Sequence, residues 1–518
     1  MSTAYKQDVA VSNDRFSGSR RLFDELVAKA SSPRLLGAGH QEVEAAIGSN
    51  GMELLRQLLQ DHLDLRHMLE ARVQVRDEEG VRLPERRRAK RVLRSLLGPV
   101  VATRFLYQGE AREGRAPADA GLRLSEDSYS MGVRREVARL CVSEAYAPAI
   151  DTLERLTGAH VPQRQAEQLV RRAAADVLAF YEQQTPTPVP TEALLVLSFD
   201  VAGIVMRTDS LRDETRKKAR REPVERSFPP KLKSGEKANR KRMAQLGAVY
   251  AVAPFFRTPD DIVGELSSLA PELGTARPAR PRPLNKRVFG SVAKPAWDVV
   301  TEGFREALAR DPKRERHWVV LLDGNEDQIR AVNHAANEAG VAVTIIADLI
   351  HLIEYLWPAA YCFHAPGSDA ARDWVVERVH ALLAGAQPAQ VAAGMRRSAT
   401  LRRLDRRGPV DDCARYMLKL APYMRYGEAI GDGLPIATGV IEGACRHVVR
   451  RRLGIGGARW STEGAEAILL LRATVLSDDF DAYWTFHERQ AFRRTHEAAY
   501  RGAIPSTRSH QRDRCSGS

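Results

Sequence analysis

Three acids stand out by what surrounds them. Asp200 lies inside LLVLSFDVAGIVM, Leu194–Met206, where an apolar run climbs to one carboxylate and then resumes. Asp323 closes the apolar run of WVVLLDG, Trp318–Gly324, and Glu442 sits in TGVIEGACRHVVRRRLG, Thr438–Gly454. Carboxylate oxygens suit hard divalent cations such as Mg²⁺ or Mn²⁺. Two such ions, about 3.5–4 Å apart, can make a water or hydroxyl nucleophilic and stabilise the leaving oxygen of a phosphodiester. The acids that hold them must converge from separate elements, and strand ends are good places to fix them. Asp323, just before Gly324, is expected at the carboxyl edge of a strand, where open α/β sheets place ligands.

Other residues compete for roles. Asp348 also follows an apolar strand, so it is an alternative second acid. His351, three residues on, is positioned either to contact a scissile phosphate or orient a carboxylate, or simply to hydrogen-bond Asp348. Glu442 needs a helix to present it, with Thr438 as the expected N-cap. An α-helix from there carries Cys445, Arg446 and Val449 on the side of Glu442. Arg446 and the run Arg450, Arg451 and Arg452 then become phosphate contacts. Taken singly, each Asp reads more readily as a turn residue or helix cap than as a metal ligand, and Glu442 as a partner of the helix dipole; only jointly do the three point to a metal site.

The elements that must position these residues follow a recognisable order. Residues 1–38 are polar and rich in Ser and Arg, and are expected to be poorly ordered. Residues 39–184 read as a mainly helical N-terminal DNA-binding region. Helical spacing runs from Gln41 to Arg72 with a possible break at Ser49–Gly51, and two short strands are expected over Ala89–Tyr107. One helix ending near Leu156, a turn at Thr157-Gly158 and a second helix from about Pro162 give a helix–turn–helix shape. Gln163, Arg164 and Gln168 stand near the start of that second helix, where base-reading side chains sit. TPTPVP, Thr185–Pro190, marks a linker.

After it the pattern predicts strands at Leu194–Phe199, Gly203–Met206 and Leu246–Phe256, then helix 295–309, strand Trp318–Leu322, helix 327–339 and strand Val341–Ala347. This is a mixed α/β sheet, its first part spanning 191–359. The loop Leu211–Arg242 has 13 Lys/Arg against 5 Asp/Glu, a net +8, which suits a grip on phosphates through Lys217, Lys218, Arg240 and Lys241. Residues 360–435 read as a helical insertion, 436–487 as the last part of the core, and 488–518 as a basic tail.

Composition agrees with a nucleic-acid partner. The 518 residues carry 79 Lys/Arg and 66 Asp/Glu, a formal net charge of +13. Such a balance favours a polyanion. The five cysteines are scattered, with no CxxC pair, so thiols rather than disulfides or zinc are expected. No run reaches the roughly 18–20 apolar residues of a membrane span, and the first residues show no apolar signal core. The expectation is a cytoplasmic, nucleoid-associated protein with no membrane partner.

These stretches resemble bacterial insertion-sequence transposases of the DDE class, and more closely the ISKra-type group related to Mutator-like transposases. GLPIATGVIEGACRHVVRRRLGIGGARWSTEGAEAILLLRA, Gly433–Ala473, is similar to the family's acid-bearing block, with Glu442 in the acid position. LLDGNEDQIRAV with VTIIADLIHLIEYLWPAA, within Leu321–Ala360, resembles its strand–DG and D-x-x-H blocks, and SFDVAGIVM, Ser198–Met206, its first. The resemblance spans roughly residues 90–475. It implies an α/β fold with an RNase H-like catalytic core, a helical insertion and the mainly helical DNA-binding region before it. It also implies Asp200, Asp323 and Glu442 as the metal triad, separated by 123 residues (200 to 323) and 119 residues (323 to 442). Asp323 is favoured over Asp348 because its strand matches the fourth of the RNase H order.

Departures exist. Val-Ala-Gly follows Asp200, Asn325-Glu326 replaces the usual Ala-Pro, and no cysteine pair follows Tyr107. The expected activity is strand cleavage and transfer at the ends of an element by two Mg²⁺ or Mn²⁺ ions. Its partners are double-stranded DNA, as terminal inverted repeats and target, and a homo-oligomer assembled on it. A catalytically inactive DNA-binding regulator and a stand-alone RNase H-like nuclease are the alternatives.

Overall fold

Asp200 does not interrupt its strand. In the computed structural model, which describes residues 15–221, 240–266, 280–437, 439–500 and 502–507, the two strands expected around it are one. This strand pairs antiparallel with Lys241–Val252 without a break, from Leu194↔Val252 to Val205↔Lys241. Val and Ile favour extended backbone, and Gly203 lies in the same run. In chain order the strands are β1 (Glu85–Ser95), β2 (Gly98–Gln108), β3 (Leu194–Val205), β4 (Lys241–Val252), β5 (Leu284–Ser291), β6 (Trp318–Leu322) and β7 (Val343–Ala347). The last five form one mixed sheet in the order β5-β4-β3-β6-β7. β4 runs antiparallel to both β3 and β5, while β6 and β7 run parallel to β3.

The sheet is buried on both faces, as its near-continuous apolar strands require. Leu195, Leu197, Phe199, Val320 and Leu322 face helices Ala296–Arg310 and Glu326–Ala339. Leu194, Val196, Val319, Leu321 and Ile346 face helix Leu349–Ala360 and the insertion. That insertion contains helices Asp369–Leu383, Pro388–Leu401, Gly408–Leu420 and Tyr426–Gly431, and it shares one apolar core with the sheet. β5 is an addition to the strands that the sequence pattern predicts. Its Arg287 is buried through ion pairs with Glu302 and Glu306 on the following helix and a guanidinium 3.9 Å from the Tyr181 ring.

The chain divides into two compact units, residues 181–480 and residues 1–180 together with 481–518. In the second of these, the expectation of disorder before residue 39 is corrected from residue 15 on. Helix Ser17–Ala30 packs on helix His40–Met68, and Asp61 accepts the Ser19 amide at 3.0 Å. Helix His40–Met68 is also unbroken at Ser49–Gly51. Gly in a helix costs about 1 kcal/mol against Ala, and the burial of Leu63 with Leu93, Val100 and Ala102 of the β1–β2 hairpin outweighs it.

Helices Met131–Ser143, Tyr146–Thr157 and Gln163–Ala173 pack on one another, with Gly158 at φ 70 ending the second in the left-handed region. The stretch after residue 480 differs from the expected split into core and basic tail. Helix Phe480–Phe492 and the residues that follow bring Tyr483, His487 and Arg494 to the end of the Gln163 helix, where Tyr483 donates to the Ala173 carbonyl. Among the described residues no helix is long and apolar enough to cross a membrane.

Candidate active site

Parallel register lines up the acids. Phe199 pairs with Leu322, and Leu322 with Ala347, so Asp200, Asp323 and Asp348 each stand one residue past the same level of β3, β6 and β7. The Asp348 amide extends the ladder to the Leu322 carbonyl at 2.8 Å. The two aspartates that compete for the second position differ in use. Asp348 is buried and caps helix Leu349–Ala360, accepting the Ile350 amide at 2.9 Å. Asp323 is half-buried, with Oδ1 accepting the Asn325 amide at 3.0 Å.

Gly324 and the insertion hold Asp323 in place. Gly324 adopts φ +97, and a Cβ there would overlap Leu420 Cδ1 and stand 3.3 Å from Tyr416 Cε2. Leu420 is buried in the core and cannot easily give way. Tyr416, on the same helix Gly408–Leu420, donates its hydroxyl to the Asp323 carbonyl at 3.0 Å. Its ring stacks on Tyr355 at 4.4 Å with His351 edge-on. Strain in backbone and packing therefore add at Gly324, and Gly324→Ala is expected to lower stability by about 2–3 kcal/mol in denaturant melts.

Cys445 reaches the first acid. Its thiol donates to Asp200 Oδ2 at 2.9 Å, and Asp200 Oδ1 accepts the Val201 amide at 2.6 Å. Burial pushes the Asp200 carboxyl above the usual range and Asp323 adds to this. The Cys445 thiol, the Val201 amide and His351 oppose it without cancelling it. Burial, and then the Asp200 charge, raise the Cys445 thiol strongly, so it stays protonated as the donor. Sequence reasoning puts Cys445 on the Glu442 side of a helix but gives it no role. A hydrogen bond to a charged group contributes about 1.5–3 kcal/mol. Cys445→Ala is accordingly expected to lower stability in denaturant melts at neutral pH by about 1.5–3 kcal/mol, with Cys445→Ser close to wild type; equal melts for the Ala variant would remove the role.

The Glu442 segment is not the regular helix expected. Helix Gly439–Ala444 packs on β3 and β4, then a π-helical turn, Cys445–Arg450, leads into Arg451–Leu453. Thr438, the expected cap, lies outside the described residues, as does the Glu442 side chain. The turn is wider than an α-helical one, and Cys445 and Val449, expected on one side with Arg446, are buried while Arg446 is exposed. Val448 and Val449 are buried, while Arg446, Arg450 and Arg451 are exposed. Arg452 is a correction: it is 2% exposed, with its guanidinium 4.9 Å from the Trp460 ring, and packs instead of facing solvent. The His447 imidazole is held below its usual range by burial and then by Arg451, Arg472, Arg446 and Lys286, a sign of a strongly positive field.

The remaining candidates are spread more widely. His351 Nδ1 lies 3.3 Å from Glu354, one turn along its own helix, and the His351 charge bears on Asp200. Gln163 and Arg164 are exposed at the start of helix Gln163–Ala173, in the other compact unit. Lys217 is exposed on helix Asp213–Arg221, a helix within the expected loop. Residues 222–239 of that loop and the Lys218 side chain lie outside the described residues. Arg240 is half-buried and its carbonyl accepts the Met206 amide, while Lys241 is exposed at the start of β4.

Among the described residues no three His, Cys, Asp or Glu side chains are gathered as a metal cluster. Asp200 and Asp323 nevertheless fit a hard cation by their chemistry. They are two oxygen donors whose mutual repulsion helps to raise the Asp200 carboxyl, and a cation between them relieves it. No family model and no curated protein matches the chain.

Proposed function

We propose that the chain is a DDE transposase, which cleaves and transfers DNA strands at the ends of an insertion sequence with Asp200, Asp323 and Glu442 as its acids. The observation that carries this is the adjacency of Asp200 and Asp323 on parallel β3 and β6, with the Glu442 helix returning to β3 and β4. Support for an RNase H-like core comes from the strand order β5-β4-β3-β6-β7, three antiparallel strands followed by two helix-linked parallel ones.

Two Mg²⁺ or Mn²⁺ ions, when bound, supply activation of the attacking oxygen and stabilisation of the leaving one. Asp200, Asp323 and Glu442 hold the cations. The Cys445 thiol and the Val201 amide fix the two oxygens of Asp200, and Tyr416 fixes the Asp323 backbone. Exposed Arg446, Arg450 and Arg451 hold flanking phosphates, which guanidinium groups clamp in bidentate fashion. Asp348 serves the fold as a helix cap, and His351 stays a candidate for a phosphate contact. The helix starting at Gln163 and Arg164, and the basic stretch with Lys217, Lys218, Arg240 and Lys241, supply duplex contacts. The working form is a homo-oligomer on DNA.

The test is incubation of the purified chain with a duplex carrying the element's end joined to flanking DNA, with Mg²⁺ or with EDTA. Metal-dependent nicking at the junction followed by joining to a target is the expected result. Nicking without joining assigns a nuclease, and binding without nicking a regulator.

A further inference from the structure

The β1–β2 hairpin carries a charge pattern that the proposed chemistry leaves unused. β1, ERRRAKRVLRS, has six Lys/Arg in 11 residues and one acid, Glu85. Alternation sends Arg87, Ala89, Arg91 and Leu93 to one face and Arg86, Arg88, Lys90 and Val92 to the other. On the first face the exposed Arg87 donates to Gln108 Oε1 at 2.9 Å, and the rest is occupied. Leu93 packs with Leu63, Val100 and Ala102, and Arg91 reaches Asp119 at 3.2 Å. On the second face, Arg86 lies over the Phe105 ring at 4.1 Å. Arg88 and Lys90, opposite Phe105 and Thr103, are exposed, and neither has an ion-pair partner among the described residues. Val92 beside them is 57% exposed.

We propose that this face of the hairpin is a docking surface for the phosphate backbone of duplex DNA, with Arg88 and Lys90 as its contacts. The choice of DNA among polyanions rests on the function proposed above. Charge complementarity carries the rest. Two cations without ion-pair partners among the described residues alternate along one strand at a spacing of about 6.7 Å. A strand of duplex DNA presents a phosphate every 3.4 Å or so of its axis and winds as it rises, so two cations at this spacing reach two phosphates of one strand. A two-stranded ribbon also fits the width of a major groove, about 12 Å. The hairpin is held to helix His40–Met68 along the outer edge of β2, where Gln60 both accepts from the Val101 amide at 2.8 Å and donates to its carbonyl at 3.0 Å. The hairpin is therefore ordered before DNA arrives.

Charged residues on an outer strand have another use, which is to stop edge-to-edge pairing between copies. Charge reversal separates the two uses, because Glu protects an edge as Lys does but repels phosphate. The experiment compares the full-length chain with Arg88→Glu/Lys90→Glu and Arg88→Gln/Lys90→Gln. Binding to a short random-sequence duplex is measured in EDTA over a range of salt concentrations. The expected result is a slope of log affinity against log salt shallower by about 1.8 for the Gln pair, since two phosphates are no longer neutralised. The Glu pair binds more weakly still, and both keep the wild-type melting temperature.

An unchanged slope in both variants overturns the proposal. So does a Gln pair that aggregates while the Glu pair is soluble and binds as wild type, which assigns the charges to edge protection. An equal or larger loss on an A-form RNA duplex moves the partner from DNA to RNA and overturns it as stated. Failure of the wild type to cut any element end would sink the transposase reading and leave this comparison standing, since it needs binding alone.

Discussion

On the proposed function, Asp200→Asn and Asp323→Asn are each expected to cut Mg²⁺-dependent end cleavage by at least about a thousandfold, or on the order of 4 kcal/mol in activation free energy. Asparagine is the informative replacement because it keeps size and one carbonyl oxygen. At position 323 that oxygen can still accept the Asn325 amide, and at position 200 the Val201 amide. What disappears is the negative charge that a hard cation needs. Asp348→Asn is the matched control. Asp348 caps helix Leu349–Ala360, and Asn caps as well as Asp does. Cleavage by that variant is expected within about tenfold of wild type, with a melting temperature nearly unchanged. End binding in EDTA should survive in all three. A dead Asp348→Asn beside an active Asp323→Asn would exchange the second acid, and three active variants would end the triad reading.

The site is legible from sequence in part, and the parts divide by physics. The place of Asp323 at the end of β6 can be read because what ends the strand is local. Five apolar residues make β6, and Gly324 and the Asn325 cap end the strand and start a helix. Asp200 reads as a break, since an acid in an apolar run usually is one. The continuous ladder with β4 comes from residues as many as 58 positions away, as Leu194↔Val252 shows. β5 escapes the sequence pattern for the same reason, because the acids that let Arg287 be buried lie 15 and 19 residues later. The Glu442 segment misleads differently. Spacing converts to faces only at 3.6 residues per turn, and a π-helical turn breaks that conversion just where Cys445 meets Asp200. Nothing in the local pattern announces such a turn. The role of Tyr416 is out of reach because it depends on how the insertion folds back, 93 residues after Asp323.

Asp176→Asn lowers the stability of the unit formed by residues 1–180 and 481–518 by about 3 kcal/mol at neutral pH. Asp176 is 7% exposed and accepts from His487 Nδ1 at 2.6 Å and from both terminal nitrogens of Arg494 at 2.6 and 2.9 Å. Burial pushes its carboxyl up, but the hydrogen bonds and charges of His487 and Arg494 outweigh this and lower it from 3.8 to about 2. A fall of that size corresponds to roughly 2 kcal/mol of stability. Because the folded value is the depressed one, this contribution is fully present above about pH 4 and is lost as pH falls through about 2. Wild type should therefore lose stability over that window, while Asp176→Asn, already lacking the charge, should show a flatter profile there. The amide also leaves Arg494 and His487 without their anion, which adds to the cost at neutral pH. Denaturant melts of both proteins from about pH 2 to 7 measure it, and parallel profiles would deny the ion cluster a part in stability. The same cluster changes how the two units should be separated. Cutting only before residue 181 strands Tyr483 and His487 without Ala173 and Asp176, so residues 181–480, not 181–518, are expected to give the soluble, cooperatively melting fragment.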